Sequence, residues 1–359
     1  MRTIKKVASH IFIDGFGGMT QGLFATLIIG TMIQQIGLLI GGSTGNVIYL
    51  LGKAAAALTS AGIGVGVAVK YGESPLVTVS AAVAAMVGGY AGKITGGTFF
   101  VDGNAVLAGP GEPLGAFIAA FAGITCGHLV SGKTKVDIIV TPVITIGAGS
   151  VVGLLVGPPI SQMMTGLGSI INWATEQRPF IMGIVVSVVM GMVLTLPISS
   201  AALGIILNLS GLAAGAATIG CCCNMVGFAV ASYRENKFGG LVAQGLGTSM
   251  LQVPNIMRHP LIWLPVIFSS AILGPVSTIL ANMQNNATGS GMGSAGLVGQ
   301  ITTYQTMIAY DDPKLVIIKI ILLHFVLPAV ITLLRSTILV LWNLMARSRC
   351  HQPKGSSLP

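Results

Sequence analysis

Charged residues are scarce in this chain. Lys, Arg, Asp and Glu together make up 8% of its 359 residues, whereas a soluble domain carries about 25%, so a water-facing surface cannot be built. Several uncharged stretches exceed the ~18 residues that a helix needs to cross a bilayer core. These stretches also lack the period-2 alternation of a membrane barrel. The sequence therefore predicts an all-α polytopic membrane protein, because apolar spans must be helical to satisfy their backbone.

Cysteines and metal-binding clusters are also few. The five cysteines show no paired spacing, and most lie inside apolar runs, which predicts buried free thiols. No cluster of His, Cys and carboxylate residues has the spacing of a metal site, so neither a metal nor a cofactor is predicted. Gly291, Gly293 and Gly296 have the spacing of a dinucleotide-binding turn, but they lack the preceding strand that this site requires. We interpret them as a tight turn within the membrane.

The chain carries a net charge of +9. Its basic residues flank apolar runs and form no dense patch, so membrane topology explains them better than nucleic-acid binding. Four clusters are predicted to lie in the cytoplasm, because cytoplasmic loops carry an excess of Lys and Arg. The clusters are Arg2, Lys5 and Lys6; Lys133 and Lys135; Arg234 and Lys237; and Arg347, Arg349 and Lys354. This distribution predicts a bacterial inner-membrane protein with both termini in the cytoplasm and an even number of spans.

Nine apolar runs are candidates for membrane spans, and they predict about ten transmembrane helices. The runs cover residues 16–40, 47–69, 75–92, 113–130, 138–156, 180–196, 212–231, 261–279 and 315–344. The last run is too long for one untilted span. Residues 1–346 are therefore predicted to form a single transmembrane domain, and residues 347–359 a cytoplasmic tail.

Five segments between these runs are too rich in polar residues, Gly or Pro for ordinary spans, yet too apolar for exposed loops. They are residues 93–112, 158–178, 197–211, 239–260 and 284–304, of which residues 158–178 have the pattern of a short amphipathic piece. Irregular backbone at membrane depth is tolerated only where protein or a water-filled cavity satisfies it. We therefore expect re-entrant hairpins around a central path for a small polar solute.

Glu112 is the first candidate for solute binding. It lies between Gly111 and Pro113, residues that predict an irregular turn before a helix. Its carboxylate is suited to hydrogen-bond a polar solute, together with Asp102 and Asn104 from the same segment. An exposed charge that interacts with the helix dipole is the alternative interpretation.

A second group of candidates follows residue 247. Ser249, Gln252, Asn255 and Arg258 cluster around a proline, and neutral amides and hydroxyls with one cation suit recognition of hydroxyl or carboxylate groups. The alternative is that Arg258 simply flanks the membrane interface. Asn224, inside an apolar run, is a further candidate.

The stretch VVGLLVGPPISQMMTGLGSIINW at residues 151–173, followed by a span and by residues 247–260, resembles the membrane subunit IIC of fructose-type phosphotransferase systems. Over nearly the whole length, the chain resembles the smaller IIC-like family that includes the PfoR-type toxin regulators. The resemblance implies a homodimeric permease with re-entrant hairpins that binds a sugar or similar solute at mid-membrane.

The resemblance also implies a difference from the fructose-type subunits. Their Thr-Glu-Gly motif, whose carboxylate engages the sugar, is matched here by Thr248, Ser249 and Met250. The chain contains no IIA-like or IIB-like domain, so phosphoryl transfer would need separate partner proteins. Three hypotheses follow: a IIC-like permease for a sugar or similar solute, a membrane sensor that keeps the permease fold, and a secondary transporter of a small carboxylate that binds Arg258.

Overall fold

A computed structural model describes residues 14–101, 103–107 and 109–334. Asp102, the predicted tail at 347–359 and the terminal basic clusters lie outside the described residues. The elements of the first half are α1 Phe16–Ile40, α2 Gly42–Ala57, α3 Thr59–Lys70, α4 Pro75–Gly89, α5 Ala91–Thr95, β1 Phe100–Val101, β2 Asn104–Ala105, α6 Pro113–Val130 and α7 Asp137–Thr175. Those of the second half are α8 Pro179–Thr195, α9 Ser200–Ile206, α10 Gly211–Ala231, α11 Tyr233–Val242, α12 Val253–Arg258, α13 Pro260–Leu280, α14 Ala287–Ser290, α15 Val298–Met307 and α16 Pro313–Leu334.

The predicted all-α membrane class is confirmed. Six helices in the described ranges are long and apolar enough to cross a membrane, or seven if α2 and α3, which meet at a bend of 52°, form one span. Two more apolar helices, α4 and α8, are shorter. The predicted count of about ten spans is not reached within the part of the chain that the structure describes.

The helix α10 forms the centre of the second half, and nearly all of its residues are buried. Ser187 of α8 lies against Gly220, and Thr195 of α8 bonds Asn224, so α8 and α10 run parallel. Two parallel helices that are close in sequence require the chain to return between them. The short α9 supplies this return, so α8 and α9 form a hairpin that enters from the N-terminal end of α10.

A second hairpin enters from the same end. After α13, the chain turns at Asn282, a non-glycine residue with φ 48°, and α14 and α15 then form the two arms. Asn208, at the base of the first hairpin, has the same φ of 48°, and asparagine is among the few residues that tolerate this left-handed conformation. Near these bases, Gly211 and Asn285 form an antiparallel bridge, in which the Asn285 N–H donates to the Gly211 carbonyl at 3.2 Å.

Three of the five broken segments lie where the sequence predicts them. Residues 197–211 and 284–304 belong to the two hairpins, and residues 239–260 turn back toward the middle of α10. The prediction is wrong for residues 93–112, most of which are exposed and form a surface hairpin, β1–β2. Residues 158–178 are mostly helical and form no hairpin, because α7 continues without a break through Pro158 and Pro159 to Thr175.

Glycine makes the contact between α8 and α10 possible. A Cβ on Gly220 would overlap the carbonyl oxygen of Ser187, whereas a Cβ on Gly147 in α7 would meet no atom within 4 Å. We predict that Gly220→Ala destabilises the protein by about 1–3 kcal/mol, because an overlap with backbone is relieved only by separating the helices. Thermal unfolding in detergent measures the effect. The matched Gly147→Ala control should unfold at or above the wild-type temperature, since Ala favours helix; equal melting of both variants would refute the prediction.

Candidate functional site

The chain between α8 and α9 passes through the protein interior as a non-helical segment. We call residues 195–200 the crossover: residues 196–199 are non-helical, and Thr195 and Ser200 are the adjoining ends of α8 and α9. The helix α8 ends at Thr195, Leu196 is extended with ψ 159°, and Pro197 has no backbone N–H to continue the helix. Residues 198–200 are buried, so the polar groups of the crossover must find partners within the protein.

Four polar side chains surround the amide of Asn224. The Thr195 hydroxyl and the Trp263 indole N–H donate to Asn224 Oδ1, at 3.2 and 3.1 Å, and Asn224 Nδ2 donates to Ser270 Oγ at 3.4 Å. The hydroxyl oxygens of Thr195 and Ser249 are 2.9 Å apart. Asn224, Thr195, Ser249 and Ser270 are all buried. The network therefore connects the crossover to α10, α13 and the residues that follow α11.

A third broken segment approaches this network from the opposite end of α10. We call residues 243–252 the opposing loop, because they follow the C-terminal end of α10, whereas both hairpins enter from its N-terminal end. Its Ser249 contacts Thr195 of the crossover, and its Gly245 carbonyl accepts a hydrogen bond of 2.6 Å from Ser294 of the second hairpin. The Ser200 hydroxyl also donates to the Gly291 carbonyl at 2.6 Å. The crossover, the opposing loop and residues 291–294 thus meet at what we call the central junction.

Side-chain amides link the opposing loop to its neighbours. Asn255 Nδ2 donates to Gln252 Oε1 at 2.9 Å, Gln252 Nε2 donates to Gln244 Oε1 at 2.7 Å, and Gln244 Nε2 donates to Ser232 Oγ at 2.9 Å. The amides of Gln252 and Gln244 thus act as both donor and acceptor, and that of Asn255 as donor. This continuous chain fixes the loop against the end of α10.

Glu112 reaches the crossover from the first half of the molecule. It precedes α6 in an irregular turn, where Gly111 has φ 75° and the Glu112 N–H donates to the Gly89 carbonyl at 2.7 Å. The Ser60 hydroxyl donates to the carbonyl of Pro110 at 3.0 Å. These contacts fix the backbone, so the position of the carboxylate is set by the fold.

The carboxylate of Glu112 lies in a poorly solvated position. Burial raises the pKa of Glu112 to about 7, although the backbone N–H groups of Ser199 and Leu114 face the carboxylate and partly offset this effect. Its Oε1 atom is buried and has no hydrogen-bond partner. A half-buried carboxylate with an unused acceptor is suited to receive a hydroxyl group.

The structure brings some of the predicted site residues together. Asn224 and Ser249 meet through Thr195, and Gln252 and Asn255 bond each other. Glu112 reaches the same crossover at Ser199.

Other predicted site residues lie elsewhere. Asn104 is exposed on β2, and Arg258 is exposed at the end of α12. Asp102 is not among the described residues.

Sequence reasoning missed several members of the central junction. Thr195, Ser270 and Trp263 lie in or beside apolar runs, where hydroxyls commonly bond their own helix. Pro197, two residues after Thr195, is the one local signal that α8 ends in the interior.

Residues 13–349 match the sequence profile of the family described as Phosphotransferase system, EIIC. The chain belongs to the EIIC family. A comparison with curated proteins finds no match. Membership of the EIIC family agrees with the apolar helices and assigns the chain to membrane transporters of the permease type, which work with IIA and IIB partners. The predicted IIC-like nature of the chain is therefore confirmed.

Asn224 accepts hydrogen bonds from two donors at the central junction, the buried Thr195 hydroxyl and the half-buried Trp263 indole N–H. We predict that Asn224→Ala destabilises the protein by about 1–3 kcal/mol, because the Trp263 indole N–H loses its acceptor and the Thr195 hydroxyl loses one of the oxygens to which it can donate. Thermal unfolding of the purified protein measures the loss. The control is Asn172→Ala at an exposed position of α7, which should melt within experimental error of wild type. A wild-type melting temperature for Asn224→Ala would contradict the network.

Proposed function

We propose that this chain is an EIIC-type permease that moves a small, uncharged, polyhydroxylated solute, such as a sugar, with its binding site at the central junction beside Glu112. The observation that carries the proposal is the convergence of three broken segments and one unsatisfied carboxylate oxygen at the crossover. Transporters place their solute sites where broken helices meet in the membrane interior.

The side chains at the junction favour a neutral solute. Glu112 is acidic, and the remaining polar groups are the neutral amide of Asn224 and the hydroxyls of Thr195 and Ser249. A carboxylate solute would meet the like charge of Glu112 and would require a cation. Arg258, the cation considered from the sequence, is exposed at the end of α12. Hydroxyl groups, which both donate and accept, match these partners.

The contacts of the crossover support a moving site. It touches Glu112 of the first half at Ser199 and the opposing loop at Ser249. The opposing loop comes from one end of α10 and the hairpins from the other end. Separating the crossover from either set of contacts would open the junction toward one side of the membrane, which is the requirement for alternating access.

The distribution of charge supports a location in the bacterial inner membrane with the basic loops in the cytoplasm. His128 at the end of α6 contacts Glu73 at 3.0 Å, so the loop with Lys133 and Lys135 lies at the end of the molecule where α3 ends. Met250 in the opposing loop and Val253 immediately after it share a buried cluster with Phe16 at the start of α1. We propose that this end faces the cytoplasm and the IIA and IIB partners, and that the permease is a homodimer.

Glu112→Gln tests the proposal. We predict that it weakens binding of the transported sugar or polyol by about 10- to 100-fold, because a charge-assisted hydrogen bond contributes about 1.5–3 kcal/mol. A panel of labelled sugars, polyols and organic acids is screened for binding to the purified wild-type protein and for uptake into proteoliposomes. Glu176→Gln, at an exposed position, is the control and should bind as wild type. Binding of organic acids alone, or of no solute at all, would contradict the proposal.

The pKa of Glu112 predicts the pH dependence of solute binding. Below about 7 the carboxyl is protonated, and above this value it is charged and accepts stronger hydrogen bonds. Affinity should therefore rise as the pH increases through about 7, and the rise should be absent in Glu112→Gln. Equilibrium binding across the pH range measures it. An affinity that falls over this interval would show that the neutral acid binds the solute.

A further inference from the structure

A second group of buried polar side chains lies between α10, α15 and α16. His324 and Thr303 are each 1% exposed, Gln300 is 7% exposed, and Cys222 is fully buried. None of the four forms a hydrogen bond with the residues of the central junction that are described above. Polar and ionisable side chains in a membrane interior are costly, so such a group requires a functional explanation.

Gln300 connects the members of this group. Its Nε2 atom lies 3.1 Å from His324 Nδ1 and donates to Cys222 Sγ at 3.4 Å. Both amide hydrogens are thereby used, and His324 Nδ1 acts as an acceptor. With the Gln300 amide in this orientation, the matching form of the imidazole is neutral, with its proton on Nε2.

Two oxygen atoms of this group have no hydrogen-bond partner. Gln300 Oε1 and Thr303 Oγ1 are buried without a hydrogen bond, and the two residues are three positions apart on one face of α15. An unsatisfied buried acceptor costs about 1–3 kcal/mol. A water molecule between these oxygens would remove the penalty.

The charges around His324 are few. Besides His324 itself, the titratable groups on the packed helices are the thiols of α10, which include Cys222, the Tyr304 hydroxyl on α15, and two lysines at the start of α16. Of these, Lys314 is exposed and Lys319 pairs with Asp311 at 2.6 Å. The helix α13 carries no titratable residue. The neutral imidazole is therefore the resting form, and a bound proton would be the one uncompensated charge at this place.

We propose that His324 and Gln300 form a proton-binding site that takes up and releases one proton in each solute transport cycle. Glutamine suits this role, because rotating its side-chain amide by half a turn exchanges the positions of the donor Nε2 and the acceptor Oε1. The Nε2 hydrogens serve the neutral imidazole, as observed, and Oε1 accepts from Nδ1–H of the protonated ring and from the Cys222 thiol. The proton adds to the lone pair of Nδ1 from a water molecule near Thr303 and returns to water on release, so no other bond changes.

The role in transport rests on the proposed function, whereas the titration of the site can be measured separately. The full-length protein, labelled with ¹⁵N-histidine and placed in lipid nanodiscs, is titrated from about pH 4 to about pH 9 and followed by NMR. The signal of His324 is assigned by its loss in His324→Asn. It should show a neutral ring with bare Nδ1 at high pH and a gain of the Nδ1 proton on acidification.

Substitution of Gln300 gives the sharpest test. Gln300→Glu should move the titration midpoint of His324 upward by about 1–3 pH units, because a carboxylate stabilises the protonated ring. Gln300→Met, which keeps the size but removes the hydrogen bonds, should move the midpoint downward. His128→Asn is the control at the exposed pair with Glu73 and should leave the His324 signal unchanged. A His324 midpoint that is the same in wild type and Gln300→Glu would overturn the proposal.

Proteoliposomes that contain a pH-sensitive dye test the coupling. Solute uptake should acidify or alkalinise the lumen in wild type and in His128→Asn, but not in His324→Asn. Unchanged proton movement in His324→Asn would overturn the role of His324 and leave the proposed permease function intact. If no solute is taken up but Gln300→Glu still shifts the titration midpoint of His324, the proposed permease function is refuted and the proton-binding site is supported.

Discussion

The second half of the molecule depends on one constraint: backbone groups that leave a helix inside the membrane must be hydrogen-bonded by the protein, because no lipid can replace water. Side chains provide these bonds here. Ser200 and Ser294 donate to the carbonyls of Gly291 and Gly245, and the carboxylate of Glu112 faces the N–H of Ser199. The bonds that permit the chain to break also hold three separate segments at one place.

The spans were predictable because length and apolarity report directly on the bilayer. The runs at 16–40 and 113–130 agree with the helices Phe16–Ile40 and Pro113–Val130 to the residue. The segments between spans were harder. Residues 93–112 and 284–304 are both rich in glycine, yet the first is largely exposed and the second largely buried. Glycine permits a turn in either setting, so composition alone does not determine its depth.

The candidate site was predictable where a residue type is unusual for its surroundings. Asn224 in an apolar run and Glu112 between Gly and Pro carry such a signal. Thr195 and Ser270 do not, because each also bonds the carbonyl four residues earlier in its own helix, as an ordinary helical hydroxyl does. Their part in the network follows from the parallel arrangement of α8 and α10. That arrangement depends on the return of the chain through α9, which the sequence does not reveal.

The bridge between Gly211 and Asn285 has a mechanical consequence. It lies near the bases of both hairpins, and the Asn285 amide strengthens it by donating to Thr218 Oγ1 at 2.8 Å and to the Gly299 carbonyl at 3.2 Å. Asn285 thereby connects the extended segment before α14 to α10 and to the start of α15. The bases of the two hairpins are therefore joined through the same hydrogen bonds. We expect a displacement of either hairpin to displace the other, so that the two move together as one unit.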